Sequence, residues 1–263
     1  MGKTSIKIIE ERDLEVPKKL ERRKRDADQR KTYDEVFDQA TLLNISKLIS
    51  RKVISTVDYP ISSGKEANIF KGTQPDGTPV VLKIYRLSTS TFKNIFRYID
   101  GDKRFKNIRR DHRSIIFAWA KKEFKNLQLM NEVGIRVPKP ITYLKNILLM
   151  EFICLGELPA PELRLIKINK PAASFRGIIK QLKELYKTGG LVHGDVSEYN
   201  ILVSSNELVL IDVGQAVIYD HPMARDLLVH DIHNLGNYFK RTYQLTLNLD
   251  KITNEILSLR EDE

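Results

Sequence analysis

Apolar residues follow three kinds of pattern along the chain. Over residues 33–49 they recur at Tyr33, Val36, Phe37, Ala40 and Leu43, the spacing of one helix face. After Pro60 the pattern shortens to strand-length runs broken by turn residues. Residues 67–70 lead into Pro75-Asp76-Gly77, a turn, and Pro79–Tyr85 reads as the next strand. Residues 86–112 are highly charged and only weakly periodic, which predicts a mobile insertion. Helical spacing returns over 114–133, and residues 134–140 break it. Two strands follow, 141–144 and 147–153. Beyond Pro161 the chain reads as mostly helical, with one hairpin: Ile201–Val203, a Ser204-Ser205-Asn206 turn, and residues 208–211. Strands crowd into residues 60–153 and helices dominate the rest. The pattern predicts an α+β protein of two lobes with a cleft between them.

Composition narrows the class. The chain has 263 residues, 41% hydrophobic and 30% charged, enough apolar surface for a packed core. Cys154 stands alone, so no disulfide partner exists within the chain, and a reducing, cytoplasmic setting is expected. The residue reads as a small core side chain. The longest apolar stretch, 147–155, is broken by Glu151 and falls short of the roughly 18–20 residues that span a membrane. The N-terminus lacks an apolar signal core, and Ile6 stands where a myristoylation signal needs Ser or Thr. A soluble protein with no membrane partner is expected.

The formal net charge of +10 is unevenly spread. Residues 1–31 carry +4, residues 86–125 carry +8, and all others together carry −2. Such localised charge is either the footprint of a polyanion, RNA or nucleotide phosphate, or a solvated face.

The sharpest chemical signal is Leu191-Val192-His193-Gly194-Asp195-Val196-Ser197-Glu198-Tyr199-Asn200. Asp195 is followed five positions later by Asn200, then by a hairpin whose second strand ends in Ile211-Asp212-Val213-Gly214. Two acids and an amide oxygen on loops flanking a hairpin can converge at one mouth. Such hard oxygen ligands suit magnesium, and phosphoryl transfer needs a positioning carboxylate and metal ligands. Two further residues fit. Lys83 lies inside the apolar run Val80-Val81-Leu82-Lys83-Ile84-Tyr85, where an unpaired ammonium is costly. Glu123 lies on the apolar stripe of its helix, four residues from both Trp119 and Leu127. Each charge accounts for the other if they pair, with Lys83 also reaching phosphates. The small-residue turn in Ser62-Ser63-Gly64-Lys65-Glu66-Ala67-Asn68 exposes backbone N–H groups that can cradle phosphates. Gly2-Lys3-Thr4-Ser5 imitates the end of a Walker A loop but has no strand or glycine before it. His230 and His233 read as ordinary helix residues rather than a metal pair.

In this order the pieces resemble the protein-kinase fold, and more closely the RIO family of atypical serine protein kinases. The resemblance rests on Ser63-Gly64-Lys65-Glu66-Ala67-Asn68, His193 to Asn200 and Ile211-Asp212-Val213-Gly214-Gln215, with Trp119 to Phe124 and Tyr219-Asp220-His221-Pro222 in support. It runs from about residue 35 to about 245, and the Glu-Ala-Asn and Asp-Val-x-Gln forms point to the type-one branch, which has no winged-helix domain. It implies three parts: a basic segment and helical extension over 1–58, a small mostly β N-lobe with hinge over 59–153, and a reduced, mostly α C-lobe over 154–263. Asp195 would be the catalytic base. Asn200 and Asp212 would hold magnesium, or manganese in its place, and Asp212 is also a candidate nucleophile. Lys83, paired with Glu123, would contact ATP phosphates. Ser63, Gly64, Lys65, Glu66 and Ala67 would cover them, and backbone groups of Glu151 and Ile153 would hold adenine. No Ala-Pro-Glu follows Asp212, and only 51 residues do. That shifts the expectation from peptide phosphorylation towards autophosphorylation, with Ser88, Thr89, Ser90 and Thr91 as acceptors, or ATP hydrolysis. The implied partner is the maturing small ribosomal subunit and its RNA. A small-molecule kinase of the aminoglycoside or choline type shares the His-Gly-Asp-x4-Asn and Ile-Asp pattern and stays open as an alternative. So does a non-catalytic RNA-binding assembly factor.

Overall fold

The structure, a computed structural model, describes residues 38–87, 92–105, 108–205 and 207–260. Helix α1 (Gln39–Ser50) starts at Asp38, whose Oδ1 accepts the Thr41 N–H at 2.7 Å. Its buried face is Thr41, Asn44, Ile45 and Leu48, while Leu42 and Leu43 point to solvent. The expected stripe through Ala40 and Leu43 is therefore turned away from the core. Asn146 decides this: its Nδ2 donates to Thr41 Oγ1 at 2.9 Å and its Oδ1 accepts from Asn44. Residues 33–37 lie outside the described part.

Five antiparallel strands make the upper lobe: β1 (Thr56–Ser63), β2 (Ala67–Thr73), β3 (Pro79–Tyr85), and, after the helices described next, β4 (Pro140–Leu144) and β5 (Ile147–Glu151). Their order is β1-β2-β3-β5-β4. β3 is apolar along its length because both its faces are covered. Val80, Leu82 and Ile84 pack with Ile45 and Leu48 of α1, and Tyr85 joins the larger core beneath. Lys83 pairs in register with Ile69 and Leu148. Alternation along the strand places it on the face opposite Leu82 and Ile84.

The charged insertion at 86–112, expected to be mobile and assigned no element by its weak periodicity, contains helical chain. It holds helix α2 (Phe92–Ile99) and a 3₁₀ turn at Lys103–Phe105. Ile95, Tyr98, Ile99 and Phe105 are buried. Three of them stand at i, i+3, i+4, a stripe that the flanking charges hide. The candidate acceptors Ser88, Thr89, Ser90 and Thr91 lie outside the described residues. The far end of the insertion touches the lower lobe. His221 Nε2 lies 2.8 Å from Asp100 O, and Lys103 pairs with Asp220. A Cβ on Gly101 (φ +89°) would stand 3.1 Å from His221 Nε2, so the close approach needs glycine.

Helix α3 (His112–Glu132) is capped by Asp111, which accepts the Ser114 N–H at 3.0 Å, and it stops before Gly134 (φ +77°). Strand β5 ends at Glu151, two residues short of the expected 153, and the chain leaves the sheet there. Below it come β6 (Cys154–Leu155), β7 (Leu158–Pro159), α4 (Pro171–Lys187), β8 (Leu191–Val192), β9 (Ile201–Val203), β10 (Leu208–Leu210), β11 (Val217–Ile218), α5 (Ala224–Tyr243) and α6 (Leu249–Leu257). Cys154 is half-buried rather than a core residue. Phe175 of α4 meets Phe239 of α5 with ring centroids 5.4 Å apart. The β8–β11 and β9–β10 pairs bracket the loops that face the upper lobe.

Candidate active site

Lys83 projects from β3 towards α3. Its Nζ donates to Glu123 Oε1 at 2.8 Å and to Asp212 Oδ1 at 2.9 Å, so the ion pair expected from the sequence is present and extends to Asp212. Lys83 and Glu123 are both buried. The Tyr85 hydroxyl donates to the other Glu123 oxygen. Burial alone would push the Lys83 ammonium down, but Asp212 and Glu123 outweigh it and hold the ammonium above its ordinary value. Lys83 in turn holds the half-exposed Asp212 carboxyl below the usual carboxylate range. Asp212 sits at φ 60°, ψ 55°, the left-handed region, which aspartate tolerates better than most non-glycine residues.

The loop between β8 and β9 brings Asp195 to the same mouth. Asn200 Nδ2 donates to both the main-chain and the side-chain oxygen of Asp195, at 2.9 and 3.0 Å. Gln215 Nε2 donates to the same carboxylate oxygen at 3.2 Å. Burial and then Asp212 push the Asp195 carboxyl up to about 6. His193 is buried, and burial pushes it down to about 4, so it is an uncharged prop beneath the loop. Its Nδ1 accepts the Asp195 N–H at 3.3 Å. Asp231 of α5 steadies the loop from below, its two oxygens accepting the N–H groups of Gly194 and Val196, each at 2.7 Å.

The turn between β1 and β2 closes over this mouth. Gly64 N–H donates to Ala67 O at 2.9 Å, and Ser63 Oγ donates to Asn68 Oδ1 at 2.7 Å. Lys65 is exposed. Burial and the neighbouring Asp212 push the Glu66 carboxyl up, which places Glu66 within the field of the site. At the strand end, the Arg136 fork holds the Glu151 carboxylate at 2.8 and 3.0 Å, and the Glu151 N–H donates to Lys139 O. The Ile153 carbonyl accepts the Ala160 N–H. A cleft of about 530 Å³ opens in front of Asp195, lined in part by Glu66, Arg97, Tyr98, Gln215, Met223 and Asp226.

Several of these groups escaped the sequence. Asp231 was legible only as an acid between two histidines. Lys122 and Asn126 of α3, which bond the loop after Asp212, looked like ordinary helix polarity. An i, i+4 polar pair inside an apolar stripe was the available signal. His233 faces Asp250 at 3.4 Å while His230 lies against Asn234, so the two histidines diverge. Among the described residues no group of three His, Cys, Asp or Glu could hold a metal as a closed cage.

The chain matches the RIO domain family over residues 68–252. This chain belongs to the RIO family. A RIO-type serine/threonine-protein kinase Rio1 of Haloferax volcanii is 41% identical over 83% of this chain and 75% of its own length. One from Methanocaldococcus jannaschii is 40% identical, over 84% and 76%. A human serine/threonine-protein kinase RIO1 is 33% identical over 82% of this chain and 39% of its own. The chain is an enzyme of this kind, a serine/threonine-protein kinase of the RIO family. In fold it is similar to the Rio2 kinase of Chaetomium thermophilum, solved as an ADP/Mg²⁺–phosphoaspartate complex, with a TM-score of 0.61 at 24% identity. That likeness covers 81% of this chain and 65% of the other. Among the described residues no helix is long and apolar enough to cross a membrane.

Proposed function

We propose that this RIO kinase binds ATP with magnesium, transfers the γ-phosphoryl group to its own chain or to water, and acts on the maturing small ribosomal subunit in the cytoplasm. The observation that carries the chemistry is the contact of Lys83 with both Glu123 and Asp212, with Asp195 and Asn200 at the same mouth. The donor set fits a magnesium ion that shares phosphate oxygens. Asp212 offers a half-exposed carboxylate, and Asn200, with its Nδ2 turned to Asp195, keeps its amide oxygen for a cation. The metal would neutralise charge on the phosphates as they transfer.

The chain's own residues supply the rest. Lys83 orients the phosphates, and Glu123 fixes Lys83. The turn at residues 63–67 would cover them, its shape fixed by the Gly64 N–H bond to Ala67 O. With the Glu151 N–H and Ile153 carbonyl already taken, the Glu151 carbonyl and Ile153 N–H are the groups left for adenine. Asp195, held by Asn200 and Gln215, takes the proton from the attacking hydroxyl or water. Asp212 is the oxygen nucleophile if an aspartyl phosphate forms, a species named in the Rio2 complex. Arg97 and Tyr98 of α2 form part of the cleft wall and narrow the approach of an acceptor to Asp195.

The test follows γ-labelled ATP in the presence of magnesium. Label on the chain or as free phosphate, lost with Asp195→Ala, is the expected result. Rapid labelling of a small alcohol with none on the chain would move the enzyme to the small-molecule class. Equal rates for wild type and variant would leave only a binding role.

Support for an RNA partner lies on the upper lobe. Lys103 and Arg104 are engaged with Asp220 and Asp102, so they are poor phosphate contacts. Arg109, Arg113, Lys121 and Lys125 are exposed. Replacing Arg109, Arg113 and Lys121 by Ala should flatten the slope of log affinity against log salt for ribosomal RNA by about 2, at about 0.7–0.9 per phosphate contact. A filter-binding series in salt reads this, and an unchanged slope places the RNA elsewhere.

A further inference from the structure

Lys122 is fully buried, with no accessible surface. Among the described residues no carboxylate lies within ion-pair distance of it. Its Nζ donates instead to two carbonyls of the turn after Asp212, Gly214 O at 3.0 Å and Ala216 O. One helical turn along α3, Asn126 Nδ2 donates to Val213 O at 2.8 Å and Ala216 O at 3.1 Å. One turn back, the Trp119 ring lies against Gly214, where a Cβ would approach Cζ2 to 2.9 Å. Helix α3 thus grips every residue from Val213 to Ala216 except Gln215, whose side chain reaches Asp195.

An apolar side chain of the same length would fill this space without desolvating an amine. The donors are what such a chain would lack. The carbonyls of a 3₁₀ turn have no partners of their own beyond its end, and two of these are buried against α3. Burial, with Arg104 nearby, pushes the Lys122 ammonium down to about 7. Either protonation state keeps at least two N–H donors, so the grip does not depend on the charge. The carboxylate of Asp212 is held from the same helix by a second route, Glu123 through Lys83. Its backbone is in the left-handed region, so its carboxylate direction is set where the chain turns into residues 213–216.

We infer that Lys122 and Asn126 are positioning residues for the metal: they clamp the turn at residues 213–216 so that the Asp212 carboxylate faces the phosphate–magnesium site. This rests on Asp212 being a metal ligand, as proposed above. Both residues are fully buried and neither lines the cleft in front of Asp195.

The test compares ADP binding by calorimetry in magnesium and in chelator, on the full chain. Magnesium should tighten ADP binding to the wild type. In Lys122→Met, which keeps length and packing, that tightening should shrink about tenfold while affinity in chelator stays within twofold. An unchanged magnesium effect, or an equal loss of affinity in chelator, would overturn the inference. If Lys122→Met does not fold, Asn126→Leu carries the same readouts with the same two outcomes. Asp212→Asn separates the two layers. If it too leaves the magnesium effect intact, the ligand assignment has failed; if it abolishes the effect while the α3 variants do not, only the clamp has failed.

Discussion

Replacing Asp195 by Asn is expected to lower ATP turnover about 10³-fold, within the range typical of a lost general base. The side chain keeps its size and stays beside Asn200 and Gln215, so ADP affinity and melting temperature should remain close to wild type. What disappears is the proton acceptor. The pH profile gives the sharper reading. Burial and Asp212 push the Asp195 carboxyl up to about 6. A base works only when ionised, so wild-type turnover should rise as pH climbs from 5 to 7, with its midpoint near that value. A cation bound at Asp212 favours the ionised form and moves the midpoint down, so more magnesium should shift the rise to lower pH. Initial rates of phosphate release across that range check both. A variant that keeps the wild-type rate and the same rise with pH removes Asp195 from the chemistry.

The second large effect falls on stability. Glu123→Ala strips one of two carboxylates from the buried Lys83 ammonium and leaves the Tyr85 hydroxyl without its acceptor. Breaking a buried pair from one side costs about 3–5 kcal/mol. The lower end is expected, because Asp212 remains at 2.9 Å. Glu123→Gln, whose amide oxygen can still accept from Lys83 while its NH2 donates to the Tyr85 oxygen, should lose less. The double change Lys83→Met with Glu123→Leu should recover much of the loss, because it removes the charges together, yet remain inactive. Urea unfolding of wild type, Lys83→Met, Glu123→Leu and the double closes the cycle, with Glu123→Ala and Glu123→Gln measured beside it. A Glu123→Ala cost no larger than that of an exposed charge would mean the pair is not buried in solution.

The parts of the site legible in the sequence were those whose partners are near in the chain, or whose residue type is out of place. Asp195 and Asn200 are five apart on one loop. Lys83 in an apolar strand and Glu123 on an apolar stripe each announce a missing partner. Lys122, Asn126 and Asp231 pointed to no partner, because what they bond is backbone. A carbonyl some ninety positions away leaves no trace in residue type. The fold shows the same division. The sheet and α3 follow from apolar spacing, whereas helix α2 was masked by the arginines and lysines around its three buried residues. The buried face of α1 was set by Asn146, about a hundred residues along the chain, against the apparent apolar stripe. The two-residue strands β8 and β11 carry too few positions to make a period.

One consequence concerns the far end of the insertion. Besides the covalent chain at Glu151 and the contacts of Lys83 and α3 with residues 212–216, the lobes meet at the far end of the insertion, where His221 approaches Asp100 and Lys103 pairs with Asp220. A jaw hinged at one corner opens freely; one that is also buckled at the other must first unfasten. Asp220→Ala, which cuts the Lys103 pair, should therefore speed ADP release from the proposed site, a rate that stopped-flow mixing reads.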